Sequence, residues 1–353
     1  RSYQWRADAA AQLSWVEALD GGDGGAEAEE RDRVFTLEAP FTGEPEVLMT
    51  LGQRYGGVQW GNGDLAFVVS WWWKTRNLKV WHVHPDDPSQ EPVIVQDRSF
   101  QDRYADPGEP LMIDGEFGRD VILTVDDGNT IFLSGDGASD EGDRPFLDKH
   151  DITTGETERL FRSEAPYYEN PIDLVDIEGL TVLTRRESVT EPPNYFVRDL
   201  KDGGLDQKTF FPDPTPQLKG ISKELITYER NDGVSLTGTL YLPAGYDKEK
   251  DGPLPTILWA YPTEYKSKQD AGQVQDSPYR FTRVGWWSPM MYLTIGYAVL
   301  DDPAMPIIGE GDEEPNDTFV EQLVASAQAA VDAMVERGVG DRDRMAIGGH
   351  SYG

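Results

Sequence analysis

The sequence predicts two dissimilar halves. Residues 1–214 read as an all-β N-terminal part of a β-propeller, and residues 215–353 as the first part of a doubly wound, mostly parallel α/β domain. Three observations carry this reading. Strand-and-turn units recur about every 40 to 55 residues through the first half. A continuous apolar run and an amphipathic helix alternate in the second. The chain then enters a glycine-flanked turn directly after a strand-like segment.

In the first half, residues 13–19, 34–39 and 46–51 read as strands, with Gly21-Gly22-Asp23-Gly24-Gly25 marking a turn between the first two. Residues 57–60 and 64–70 flank Asn62-Gly63, a hairpin signal because both residue types accept the backbone of a tight turn. Residues 78–84 and 92–96 follow, with Pro85-Asp86-Asp87-Pro88 breaking the chain between them. Four units result, 3–53, 55–97, 110–162 and 167–211. Their closing phrase, a strand, a turn and a short strand, repeats. Examples are Phe146-Leu-Asp-Lys-His-Asp151 before Thr157-Glu-Arg-Leu-Phe161, and Tyr195-Phe-Val-Arg-Asp-Leu200 before Lys208-Thr-Phe-Phe211. That repetition favours about four propeller blades over a β-sandwich with irregular loops. Four blades close only a small ring, so further blades are expected upstream of Arg1.

The second half opens on a hairpin, residues 224–229 and 234–242, around Asn231-Asp232-Gly233. Residues 255–261 are continuously apolar, as in a strand buried on both faces, and 298–300 form another short strand. Residues 317–337 read as a helix, with Phe319, Leu323, Ala327, Ala330, Val331 and Met334 at 3.6-residue spacing. Asp317 or Thr318 is placed to cap its start, and Gly338 to end it. Residues 344–347 then form a strand leading to Gly348. Strand–helix–strand order implies parallel pairing with right-handed crossovers.

Composition narrows the function. With 32 Lys and Arg against 64 Asp and Glu, the net charge is −32, which argues against a nucleic-acid partner and against an anionic membrane surface. Aromatic residues at 11% exclude a disordered acidic tail. The absence of cysteine removes disulfides, thiolate nucleophiles and zinc–thiolate sites together. No apolar run approaches the length of a membrane-spanning helix, so a soluble protein is expected, while its compartment and oligomeric state stay open.

The last five residues, Gly349-His350-Ser351-Tyr352-Gly353, match G-x-S-x-G. The motif serves a sharp strand-to-helix turn with Ser at its tip and small residues on either side, where neighbouring backbone passes close. In this arrangement Ser351 is the nucleophile, and the amide of Tyr352 points toward a developing oxyanion. The four histidines are His82, His84, His150 and His350, and none follows Ser351, where the Ser–Asp–His order of such folds would place the base. His350 precedes the nucleophile directly and reads as a packing or hydrogen-bonding residue. The chain is therefore expected to be a fragment, inactive alone. His82 and His84 alternate on one strand, and packing explains them better than a metal pair. Acyl transfer to serine needs only a triad and an oxyanion hole, so no cofactor and no metal is implied.

Gly348-Gly-His-Ser-Tyr-Gly353 resembles the nucleophile elbow of the prolyl oligopeptidase family of serine peptidases. Longer phrases resemble its glutamyl endopeptidase branch, known from chloroplasts and bacteria: Trp259-Ala-Tyr-Pro262, Tyr265-Lys-Ser-Lys268, Pro306-Ile-Ile-Gly-Glu-Gly-Asp312 and Glu321-Gln-Leu-Val-Ala-Ser326. Trp15-Val-Glu-Ala18, Gly142-Asp-Arg-Pro-Phe146, Ser163-Glu-Ala-Pro-Tyr-Tyr168 and Glu191-Pro-Pro-Asn-Tyr195 extend the likeness through the first half. The resemblance implies a β-propeller joined to an α/β-hydrolase domain, and a peptidase acting on peptides or unfolded polypeptides after acidic residues, Glu foremost. It also implies that Tyr261 supplies a hydroxyl to the oxyanion hole. Selectivity for a buried carboxylate needs cations in its pocket, and Lys266, Lys268 and Arg283 are the candidates. The competing readings are an esterase-type α/β-hydrolase, a prolyl-oligopeptidase-type peptidase of other P1 specificity, and a non-catalytic scaffold.

Overall fold

The structure is a computed structural model and describes residues 2–353; Arg1, which opens the expected propeller part, lies outside the described residues. The first half is a succession of antiparallel meanders. Strands β1 (Gln4–Trp5), β2 (Gln12–Ala18), β3 (Asp32–Glu38) and β4 (Glu46–Leu51) pair in chain order. So do β5 (Arg54–Asn62), β6 (Leu65–Trp72), β7 (Asn77–Val83) and β8 (Val93–Ser99). After β9 (Glu109–Pro110), β10 (Met112–Asp114) and β11 (Asp120–Ile122), a third sheet orders β12 (Thr124–Val125), β13 (Thr130–Gly135), β14 (Phe146–Asp151) and β15 (Thr157–Arg162). A fourth orders β16 (Tyr167–Asp176), β17 (Thr181–Ser188), β18 (Asn194–Asp199) and β19 (Leu205–Gln207).

Local chemistry explains these meanders. At the Asn62-Gly63 hairpin, the Asp64 amide donates to Asn62 Oδ1 at 2.9 Å, closing the turn between β5 and β6. On β3, buried Asp32, Val34 and Thr36 alternate with less buried Arg33, Phe35 and Leu37, the period-2 signature of a half-covered sheet. Trp72 and Trp73 pack under guanidinium groups, with Arg31 4.0 Å above the first ring and Arg76 3.6 Å above the second.

The second half is a mixed sheet. Strands β20 (Ser222–Glu229) and β21 (Ser235–Leu242) form the expected hairpin. Helix α1 (Lys248–Asp251) precedes β22 (Leu254–Trp259) and β23 (Pro262–Tyr265), and α2 (Lys268–Ala271) precedes β24 (Ala298–Asp301) and β25 (Met305–Ile308). Helix α3 (Phe319–Glu336) then leads to β26 (Gly340–Gly348). The order is β20-β21-β24-β22-β26, with β22 parallel to both β24 and β26. A second parallel pair, β23 with β25, was not anticipated from the sequence.

Helix α3 seals this sheet. Its Ala330 and Met334 are fully buried in a core with Ile226, Leu240, Leu258, Leu300 and Met305. Two details differ from expectation. The Thr318 side chain does not cap the helix; its hydroxyl accepts from Gln322 Nε2 at 2.8 Å. Gln322 is committed there because its amide also bonds the backbone of Ile308 in both directions, at 2.7 and 2.9 Å. Phe319 leaves the core stripe and packs against Tyr352, ring centroids 5.6 Å apart. Gly338 follows the helix at φ +70°, the left-handed stop that glycine adopts without strain.

The chain forms two compact units that do not follow the change of character at 214/215. One holds Arg1–Phe100, Pro107–Ser134 and Asp148–Arg159; the other holds Gln101–Asp106, Gly135–Leu147 and Leu160–Gly353. The fourth sheet and two loops of the first half thus fold with the mixed sheet. The candidate site described below lies within this second unit.

Candidate active site

Strand β26 delivers the serine motif to the carboxyl end of the parallel strands, where open α/β sheets place their ligands. Gly348 pairs with Trp259 across β26 and β22, and the Ala260 amide donates to the Gly348 carbonyl at 2.9 Å. The chain then turns sharply, and the Gly353 amide donates back to the His350 carbonyl at 3.0 Å. Ser351 sits at the tip, exposed, with φ +60°, a strained conformation for a residue with a side chain. The flanking glycines are explained by one neighbour. A Cβ on Gly349 would lie 2.2 Å from the Ala260 carbonyl oxygen, and one on Gly353 would lie 2.3 Å from the same atom.

Aromatic rings surround the turn. His350 stacks on Trp287, centroids 5.6 Å apart and 20° between planes, with Trp286 edge-on at 5.9 Å. Of the two roles expected of it, packing and hydrogen bonding, these contacts are packing. Tyr261 follows β22 directly, half-exposed, with its ring 6.0 Å from that of Tyr352. The Tyr352 hydroxyl donates to Glu264 at 3.2 Å, and burial together with the Glu264 carboxylate raises its pKa. Among the described residues, no group of three or more His, Asp or Glu is arranged to hold a metal ion.

Tyr261 also lines a cavity of about 640 Å³, well within the size range of small-molecule and cofactor pockets. Of the three candidate cations, Arg283 lines it; Lys266 and Lys268 do not, and their ammonium groups donate instead to the carbonyls of Glu313 and Asp232. Three further cations line it that the sequence had not singled out: Arg103, Lys223 and Arg280. No motif marks them, because each derives its position from a partner distant in sequence.

Much of the cationic wall is the segment 273–283, which has neither helix nor strand. Charged side chains hold it. Arg103 bonds both carboxylate oxygens of Asp143 at 2.9 and 3.0 Å and the Val274 carbonyl at 3.0 Å. The Lys223 side chain, 1% exposed, donates to the carbonyls of Ser277 and Arg280 at 3.1 and 3.2 Å. Burial lowers the Lys223 pKa, and Asp276, 3.7 Å away, opposes that shift. Glu187 of β17, its side chain also 1% exposed, accepts from the Phe281 amide at 2.9 Å and from Arg283 at 3.1 Å. Burial pushes Asp143 up to about 6 against the pull of Arg103. At the end of β24, burial and the charges of Asp302 and Asp276 push Asp301 up to about 7.

No family model matches the chain. Over its whole length it is 47% identical to a "Probable glutamyl endopeptidase, chloroplastic" of Oryza sativa subsp. japonica, and 46% identical to one of Arabidopsis thaliana. The chain spans 39% and 38% of these two proteins, about two-fifths of each. Among solved structures, it superposes on a prolyl endopeptidase with a TM-score of 0.57 at 14% identity, covering all of this chain and 54% of that one. Oligopeptidase B from Leishmania major gives 0.56 at 11% identity, covering 99% and 52%. An acylaminoacyl peptidase of Pyrococcus horikoshii gives 0.54 at 13%, covering 100% and 48%. Identity over an alignment that covers the whole chain and the shared fold converge: the chain is a homologue of the proteins named glutamyl endopeptidase, built on the fold of prolyl-oligopeptidase-type enzymes.

Proposed function

We propose that this chain carries the nucleophile of a serine-type peptidase that cleaves peptides or unfolded polypeptides after acidic residues, Glu preferred. The four antiparallel sheets are then propeller blades, and the mixed sheet is the beginning of an α/β-hydrolase domain. The observation that carries the reading is the turn at Ser351, held at left-handed φ between two glycines that pack on the Ala260 carbonyl.

In this mechanism the Ser351 hydroxyl attacks the scissile carbonyl while a histidine base takes its proton. The Asp and His that complete the triad lie outside these 353 residues, for which the greater length of the relatives leaves room. The tetrahedral oxyanion is met by the Tyr352 amide and the Tyr261 hydroxyl. Collapse transfers the proton to the departing amine and leaves an acyl ester on Ser351, which water hydrolyses by the same steps. Arg283 in the cavity supports the preference for an acidic side chain, and Lys266 and Lys268, engaged elsewhere, support it less.

The test uses the full-length protein carrying this chain and matched peptides with Glu, Asp, Gln, Pro or Ala at P1, beside Ser351→Ala. Strong Glu preference that disappears in the variant is the expected result. Faster cleavage after Pro or Ala would retain the peptidase and remove the acidic specificity. No cleavage of any peptide or of an ester reporter would leave a non-catalytic scaffold.

A further inference from the structure

We propose that Arg280 and Arg283 together form the carboxylate-binding end of the cavity, gripping the acidic side chain of the substrate between two guanidinium groups. The proposal rests on the Glu-preferring reading and names the residues that would produce it.

Four cations line the cavity, and their bonding separates them into two kinds. Arg103 is fixed in the wall by three bonds, two to Asp143 and one to the Val274 carbonyl. Lys223 is enclosed, donates to two carbonyls and faces Asp276 as an ion pair at 3.7 Å. These two build the wall. The Arg280 and Arg283 side chains are 40% and 57% exposed. A guanidinium has five N–H donors. Arg283 uses one on Glu187, and Arg280 uses one each on Asp276 and the Tyr168 hydroxyl. Both retain donors for an incoming anion.

The pair is also preorganised. The Arg280 carbonyl accepts from buried Lys223, and the next amide, that of Phe281, donates to buried Glu187. These are the two polar groups of a single peptide bond, so opposite charges pin both sides of the link that carries Arg280 toward Arg283. The Arg280 guanidinium lies over the Tyr168 ring, 4.5 Å from its centroid, which restricts it further. Two ion-paired groups hold the arginines, each with two cations on one carboxylate: Arg185 and Arg283 on Glu187, and Lys223 and Arg280 on Asp276. Asp136, Asp143, Asp301 and Asp302 also line the cavity, so the match to an anion rests on the two guanidinium groups and not on the charge of the cavity as a whole. A carboxylate is well matched to such a site, because planar guanidinium groups bind it through paired, charge-assisted bonds.

The test compares kcat/KM of the full-length protein on peptides that differ only in Glu or Gln at P1. Arg280→Met and Arg283→Met should each lower the Glu/Gln ratio about tenfold, mainly through KM for the Glu peptide, as the loss of a charged hydrogen bond demands. A Glu/Gln ratio unchanged in both variants, in an enzyme that prefers Glu, would overturn the arginine assignment and leave the Glu reading standing. An enzyme that cleaves through Ser351 without preferring Glu overturns both. A second measurement needs no variant. Phenylglyoxal labelling of the unaltered protein, mapped by mass spectrometry, should show Arg280 and Arg283 protected by N-acetylglutamate and not by N-acetylglutamine. Equal labelling with either compound would refute the pair.

Discussion

Replacing Asp301 by Asn should change how stability depends on pH. The carboxyl has an ordinary value of 3.8 and is held at about 7 in the fold, first by burial and then by Asp302 and Asp276, with Lys223 opposing. A carboxyl whose folded pKa is raised binds its proton more tightly when folded. Its contribution is therefore most favourable below the unfolded value, is lost as pH rises, and levels off above the folded value. Three units at about 1.4 kcal/mol each give roughly 4 kcal/mol lost between pH 4 and pH 8. The Asn side chain carries no such penalty. The variant should melt close to the wild type near pH 4 and on the order of 10 °C higher at pH 8, at about 2–4 °C per kcal/mol for a domain of this size. The assay is a melting series at matched scan rates from pH 4 to pH 8. A difference in Tm that stays constant across the series, or an Asn variant that falls below the wild type at pH 8, would refute the argument.

Other substitutions test other parts of the site. Gly349→Ala places a Cβ against the Ala260 carbonyl, where 2.2 Å is available, so the turn must open. Hydrolysis should drop by more than about a hundredfold, with a stability loss of about 3 kcal/mol or more seen in denaturant unfolding. Tyr261→Phe removes a hydroxyl from a half-exposed ring; kcat should fall by about 10- to 100-fold, while Tm stays within a degree or so. Glu187→Gln leaves Arg283, Arg185 and the Phe281 amide with a neutral partner. It should cost about 2–3 kcal/mol and lower the Glu/Gln ratio, measured by unfolding and by the paired peptides.

What could be read from the sequence was what the chain does locally. The motif around Ser351 could be read because its glycines answer to a backbone atom a few ångströms away, and that demand leaves a residue-type signature. The meanders could be read because β3 and its neighbours alternate and because Asn62-Gly63 is turn chemistry. The β23–β25 pair escaped because each strand has four residues, and Pro262-Thr-Glu-Tyr265 shows no alternation. Phe319 fits the helical period and still leaves the core, because Tyr352 offers it a closer ring. Arg103, Lys223 and Arg280 could not be told from surface charges, since their roles depend on Asp143, Asp276 and Tyr168, each in another stretch of chain. Arg283 could be guessed from its place after the apolar run 255–261, but Glu187, which holds it, could not.

The single peptide link between Arg280 and Phe281 bears on how such a protein can be recombined. One of its two anchors, Lys223, lies inside the C-terminal half, and the other, Glu187, lies inside the last β-meander. A graft of residues 215–353 onto a foreign β scaffold would carry the nucleophile turn intact and lose Glu187, Arg103 and Asp143 together. Extended to include the Asp and His of the triad, such a cassette would carry the reactivity while selectivity stayed behind. Natural exchange at the same breakpoint should then yield hydrolases with unaltered serine chemistry and relaxed choice of substrate. For the preference to be inherited, the crossover must fall upstream of Arg103, so that the transferred piece brings its own clamps.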